Sequence, residues 1–451
     1  MDHDIEAAAE AVLTNNDWSA IKRNHLHDSC RMRFDGILVG EGGSGLLEGL
    51  MQELEASEGS RSRARTKDNR ERLKQTLGHF VAALWELNAS SSTTWLAYSR
   101  AKDAGLKDER YVSPYIRHTT ITAAADFLVK QGYADHCRGS YQRADFKKGT
   151  RGFGYLSRLR ATPKLTGLIV MLGLSLQDCV RRNQVEPIIM RERSTDGQRW
   201  VSCDYEDSEE SNKLRNTLLL YLTLMDGHSV LNPMAENAEE GANCKTRLYR
   251  VFNGSWDMGG RFYGGWWQHI PKKRRKDITI NDEATVELDY GSLHPRLCYQ
   301  LAGKPLPNDI DPYDIEGVDK AYRGVVKVIF MQLLNMKSGG APSLPDQFVG
   351  MIDLATYRDI VRKVEAHHRP ISEWFRQGPR SLELQAIDAR IADAVLGYFT
   401  ASGCPILPVH DSFIVAKSKE SMLRQCMLAA YDFTLRGLKV PVMEPVIRRE
   451  G

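Results

Sequence analysis

No cysteine in this sequence belongs to a C-x-x-C pair. The eight cysteines (Cys30, Cys137, Cys179, Cys203, Cys244, Cys298, Cys404 and Cys426) are scattered along 451 residues, which argues against a structural zinc site and fits a reducing cytoplasm. Long hydrophobic runs are missing as well. No stretch is long enough to cross a bilayer and no apolar start resembles a signal peptide, so a cytoplasmic protein with no membrane partner is expected. A large excess of one charge is also lacking: 61 Lys and Arg stand against 58 Asp and Glu, a net charge of +3. That balance says nothing about nucleic acid by itself, and the placement of the charge has to carry the information. What is present is 42% hydrophobic and 26% charged residues, the profile of a globular chain long enough for two or three domains.

Residues 1–70 read as weakly ordered, with a flexible break at Glu41-Gly42-Gly43-Ser44-Gly45 and a polar linker from Ser57 to Arg72. Helical periodicity begins with Leu73, Leu77, Phe80, Val81, Leu84 and Leu87 on one face. A second helix is predicted from Ile116 to Gln131, with Ile121, Ala124, Ala125, Leu128 and Val129 inward and Gly132 as its C-terminal stop. A basic segment follows, then a β-segment from Tyr155 to Ala161, and Thr162-Pro163 opens another helix. The order of elements over 71–180 resembles a winged helix-turn-helix. The resemblance implies a DNA-binding domain whose phosphate contacts come from Arg138, Arg143, Lys147, Lys148, Arg151 and Arg158, with Arg160 and Lys164 adding to the local charge. Residues 181–245 read as a helical connector, thumb-like, with an acidic loop at Cys203–Ser211 and an apolar helix from Leu214 to Leu224.

Two later stretches share one design. Val286 and Leu288 alternate with Glu287 and lead to Asp289, and the apolar run Pro405–Val415 contains His410-Asp411-Ser412-Phe413. Asp at a strand end is common in turns, but two short strands that each deliver one Asp suggest a paired-carboxylate site. Such a pair can hold two Mg²⁺ ions, or Mn²⁺ in their place, roughly 3.5–4 Å apart for displacement at phosphorus. Between them, Arg323, Lys327 and Met331 recur at a spacing of four and share a helical face, a pair of cations suited to a triphosphate. Upstream, Asp257-Met258-Gly259-Gly260-Arg261-Phe262-Tyr263 combines glycines for close approach, an Arg for phosphate and rings for stacking on bases.

These motifs, in this order, resemble the single-subunit RNA polymerases of phages and mitochondria and the family A DNA polymerases, over roughly residues 245–450. Asp257-x-x-Gly260-Arg261 followed by Tyr263 resembles the RNA polymerase loop that meets template and hybrid. Gln268-His269-Ile270-Pro271, with Lys272, Lys273, Arg274, Arg275 and Lys276 after it, resembles the segment before the first catalytic strand of the DNA polymerases. Asp289-Tyr290-Gly291-Ser292 resembles motif A, Arg323–Met331 motif B, and His410-Asp411-Ser412-Phe413 motif C in its RNA polymerase form.

The resemblance implies an α+β chain. A mostly helical winged-helix domain would be followed, over 246–451, by a right-hand palm with an antiparallel sheet and reduced helical fingers and thumb. It implies Asp289, the Tyr290 carbonyl and Asp411 as metal ligands, and Arg323, Lys327, Met331, His294 and Asn335 around the nucleotide. Lys327 would also donate a proton to pyrophosphate. Arg261, Tyr263, Lys272, Lys273, Arg274 and Arg275 would lie along nucleic acid, and Asp257, Gly260, His410, Ser412 and Asp388 would support them. The partners implied are a DNA template, nucleoside triphosphates and an RNA product or primer.

Two departures bear on sugar choice: His294 stands where the DNA polymerases carry a ribose-excluding Glu, and Asn335-Met336 stands where the families carry Tyr-Gly. RNA synthesis, or a primase-like activity, is the favoured expectation. A family A-like DNA polymerase of a mobile element and a DNA-binding replication initiator or regulator with a degenerate polymerase half are the alternatives.

Overall fold

The chain divides into two units, one built from residues up to Glu186 with a short return at Asn232, the other from Pro187–Leu231 and from Lys245 onward. The computed structural model describes the chain except residues 1–28, 33, 35, 60–64, 91, 101–109, 112–115, 140, 143–152, 155, 182–185, 196, 198, 235–247, 441 and 451. It is α+β throughout.

The first unit contains β1 (Ser29–Arg31), β2 (Gly36–Leu38), α1 (Gly40–Ser57), α2 (Lys67–Ser90), β3 (Trp95–Tyr98), α3 (His118–Lys130), β4 (Ala134–Cys137), β5 (Tyr141–Gln142), β6 (Phe153–Gly154), β7 (Ser157–Ala161), α4 (Pro163–Met171) and β8 (Cys179–Arg181). The predicted apolar faces of α2 and α3 form its core: Leu77, Phe80, Val81, Ala124, Ala125 and Leu128 are fully buried. The α3 helix stops where the left-handed Gly132 lets Tyr133 N–H reach back to the Leu128 carbonyl at 2.8 Å. The glycine run at 41–45 is no break. It lies inside α1, where Leu46, Leu50, Met51 and Leu54 are buried. A Cβ at Gly43 would meet the Leu38 backbone at 2.9 Å, so a small residue is needed for α1 to turn back against β2. The expected linker likewise gives way to helix from Lys67. A four-stranded sheet in the order β1-β3-β7-β4 closes the unit, with β4 and β7 antiparallel.

The second unit contains β9 (Ile188–Arg193), β10 (Trp200–Ser202), α5 (Glu209–Asp226), β11 (Val230–Leu231), β12 (Tyr249–Asn253), β13 (Gly259–Tyr263), α6 (Lys272–Arg275), β14 (Thr279–Ile280), β15 (Glu283–Tyr290), α7 (Leu293–Leu301), α8 (Arg323–Asn335), α9 (Leu354–His367), α10 (Arg380–Ala401), β16 (Leu407–Val409), β17 (Ser412–Ala416), α11 (Glu420–Gly437) and β18 (Ile447–Glu450). Residues 181–245, expected as a helical connector, hold the expected helix Leu214–Leu224 within α5 but also supply β9 and β10 to a sheet ordered β10-β9-β12-β13. The α5 helix starts at Ser208, whose hydroxyl accepts the Ser211 N–H at 3.1 Å.

The central sheet runs β11-β14-β15-β17-β16, and β18 pairs with the other edge of β15. Leu288, buried between paired neighbours on both sides, is a core residue of a middle strand. Among the described residues no helix is long and apolar enough to cross a membrane.

Candidate active site

Two backbone features bring the acidic residues together. First, β15 and β17 are antiparallel with Asp289 opposite Ser412, so Asp411 stands one residue past the partner of Asp289. The Tyr290 N–H donates to the Asp411 carbonyl at 3.2 Å. Second, the segment 405–415 is not one strand. It folds at His410-Asp411 into a two-residue turn between β16 and β17, with Val409 paired to Ser412 and His410 at φ +59°. Asp411 is therefore carried at a hairpin tip beside the end of β15, rather than within a strand.

Electrostatics register the proximity. Burial, and then the charge of Asp411, push the Asp289 carboxyl up to about 8; Glu450 and Glu287 add to the rise and Lys272 opposes it. His410 is held below the usual histidine range by burial and then by Arg261, so it is neutral at pH 7. Its buried Nδ1 has no protein partner among the described residues.

The turn is held from beneath. The Ser412 hydroxyl donates to Glu287 Oε1 at 2.6 Å, and Arg275 Nη1 donates to the same oxygen at 2.7 Å. Trp267 Nε1 and Gln268 Nε2 both donate to the Pro408 carbonyl, at 2.9 and 3.0 Å. The Tyr263 ring meets His410 edge-on at 5.6 Å and stacks on Tyr249 at 6.1 Å. Tyr290 points into the core, its hydroxyl donating to the Met427 carbonyl at 2.6 Å.

Arg261, expected to offer its guanidinium to phosphate, is engaged with the buried Asp388 on α10, donating through Nε at 2.9 Å. His294 Nε2 lies 2.9 Å from the same carboxylate and 3.1 Å from Arg261 Nη2. Burial pushes the Asp388 carboxyl up, but the His294 hydrogen bond and the Arg261 charge outweigh it and hold it below the usual range. Five residues on along α10, Asp393 meets the buried Arg250 of β12 at 2.9 Å. The glycine-rich hairpin β12–β13 is thus fastened twice to one helix. Gly260, at φ +79°, would place a Cβ 2.7 Å from the Phe252 ring. Asp257 is exposed and pairs with Arg390.

On α8, Arg323 pairs with Asp311 at 2.7 Å, and both Arg323 and Lys327 approach the Tyr313 ring, at 5.3 and 5.4 Å. Burial, and then the charge of Arg323, lower the Lys327 pKa, while Asp289 raises it. Met331 follows one turn on and is half-buried; Asn335 accepts from the Ser381 hydroxyl. The basic run before β14 divides: Lys272 pairs with Glu450 at 2.7 Å, Arg275 with Glu287, and Lys273 is exposed while Arg274 is half-buried.

In the first unit, Arg138 is exposed, but Arg158 is buried and donates to the Leu156 carbonyl at 2.8 Å, which corrects its place among the phosphate contacts. Arg143, Lys147, Lys148 and Arg151 lie outside the described residues. Glu287, Asp311, Tyr313 and Glu450 were not legible as site residues, because each gains its place only from long-range pairing.

No family model matches the chain, and no curated protein sequence does. Among solved structures the chain is similar to the POL domain of Pol1 from M. smegmatis in complex with DNA primer-template and dNTP, with 12% identity and a TM-score of 0.32 over 92% of this chain. The chain spans 66% of the length of that structure.

Proposed function

We propose that this chain is a template-directed nucleotidyltransferase that extends a 3′-hydroxyl with nucleoside triphosphates, with ribonucleotides favoured. The observation that carries the reading is the juxtaposition of Asp289 and Asp411 at adjoining strand ends, with the Asp289 carboxyl pushed up to about 8 by burial and then by the charge of Asp411, which Lys272 offsets only in part. That imbalance fits divalent cations: hard oxygen donors at a half-buried position are what Mg²⁺ or Mn²⁺ takes, with the Tyr290 carbonyl as a further donor. When bound, such ions activate the attacking hydroxyl and neutralise the triphosphate.

The protein's own residues then have separable tasks. Lys327 stands near Asp289 on the face shared with Arg323 and binds phosphate, and it is a proton donor for the leaving pyrophosphate. Its lowered pKa makes that transfer easier. The Asp388–His294–Arg261 cluster fixes an imidazole just beyond motif A, at the position that resembles the sugar filter of the DNA polymerases. Tyr263 and the exposed Lys273 face nucleic acid. In the first unit, α2, α3 and the β4–β7 hairpin support a winged-helix reading, with Arg138 on its surface.

Asp411→Asn is expected to abolish Mg²⁺-dependent incorporation of labelled nucleotides on a primed single-stranded template, with an unchanged circular dichroism spectrum. Full activity in that variant sinks the reading. Extension by dNTPs alone overturns the preference for ribonucleotides, and no extension with either sugar favours a DNA-binding initiator.

A further inference from the structure

We propose that Lys272 is a further phosphate-binding cation of the nucleotide site, and that Glu450 on β18 is the residue that positions it. This rests on the polymerase reading above, and it takes Lys272 out of the nucleic-acid rail in which the sequence placed it.

Five consecutive basic residues look alike in sequence but have different surroundings. Arg275 is tied to Glu287 beneath the His410-Asp411 turn. Lys272 is instead 2.7 Å from Glu450. Strand β18 is antiparallel to β15 with Glu450 opposite Glu287, two residues before Asp289. Residues two apart on a strand share a face, and directly opposed residues lie on the same side of the sheet. Glu450 therefore draws the Lys272 ammonium to the face that carries Asp289.

Lys327 on α8 feels the charge of Asp289, and the charge of Lys272 acts on both Asp289 and Lys327. A triphosphate bound by Lys327 would lie within the field of Lys272. The Lys272 side chain is 58% exposed and that of Glu450 24%, so phosphate can reach the ammonium, and an open ion pair of this kind is held weakly enough to be exchanged.

The test uses the full chain in Mg²⁺ buffer: isothermal titration with ATP, dATP and AMP, steady-state KM and kcat for one-nucleotide extension, and binding of a primer-template duplex. Lys272→Ala is expected to weaken triphosphate binding and raise KM by about tenfold, the loss of one charge-assisted phosphate contact. AMP affinity, kcat and duplex affinity are expected to hold. Lys272→Arg should restore most of the loss, and Glu450→Gln should raise KM about threefold through misplacement of Lys272. Triphosphate affinity unchanged in Lys272→Ala, or duplex affinity falling in its place, overturns the proposal. Lys327→Ala and Asp411→Asn run alongside. If they abolish extension while Lys272→Ala is silent, only this inference fails; if they extend normally, the polymerase reading itself has failed.

Discussion

Asp289 is the residue whose ionisation links the site to the rest of the protein. Its carboxyl titrates near 8 rather than at the ordinary 3.8 because it is buried beside Asp411. A cation must displace a proton below that pH, so affinity should rise up to about tenfold per pH unit until pH 8 and level off above it. Mn²⁺ titrations at pH 6.5, 7.5 and 8.5 check this, and a flat profile would refute the coupled pair. Stability follows from the same shift. A group whose pKa is raised by folding favours the folded state below its unfolded value, and that advantage is lost as pH rises through the folded value. The metal-free protein should lose stability between about pH 4 and pH 8. Asp289→Asn removes the loss and should melt higher than the parent at pH 9, by on the order of 1–3 kcal/mol once partial solvation is discounted, with little difference at pH 4.

Among the elements, the hairpin β12–β13 and the helix α10 act as one piece. Asp388 is buried, and it answers both Arg261 and His294. Asp388→Ala would leave a half-buried guanidinium and a buried imidazole without their acceptor and should cost about 3–5 kcal/mol in denaturant titrations. Asp393→Ala should also destabilise, since it leaves the buried Arg250 guanidinium without its carboxylate. Gly260→Ala meets both an unfavourable positive φ and the Phe252 ring, so it should reduce stability without touching any charge. This pairing also marks where sequence reasoning stopped. The spacing of Arg323, Lys327 and Met331 was legible as a helical face, and alternation in 286–289 as a strand, because both signals are local. The partner of Arg261 was not, since a ligand-facing arginine and a structural one have the same neighbours in sequence. The glycines at 41–45 misled for a related reason: composition suggested freedom, whereas they lie inside α1 and packing against Leu38 requires the small size of Gly43. Nor did the apolar run at 405–415 reveal its turn, which needs His410 in a left-handed conformation that few non-glycine residues adopt.

At the scale of the whole molecule, the 61 Lys and Arg behind a net charge of +3 are not all available to a ligand. Many basic residues are neutralised by named acids: Arg250, Arg261, Arg275, Arg323 and Lys272 each have a carboxylate within 4 Å. Such paired cations release few counterions when nucleic acid binds, so the count of Lys and Arg overstates the electrostatic share of binding. Lys273 and Lys276 are different, being exposed on and just after α6 in the second unit. Each phosphate neutralised contributes about 0.9 to the slope of log affinity against log salt. Lys273→Ala/Lys276→Ala should therefore lower the magnitude of that slope by about 1–2 on a primer-template duplex, weakening all sequences alike. Fluorescence anisotropy between about 50 and 200 mM salt measures it. If the slope stays unchanged while affinity drops equally at every salt concentration, these lysines shape the local fold rather than meet phosphate, and the contact surface lies elsewhere on the molecule.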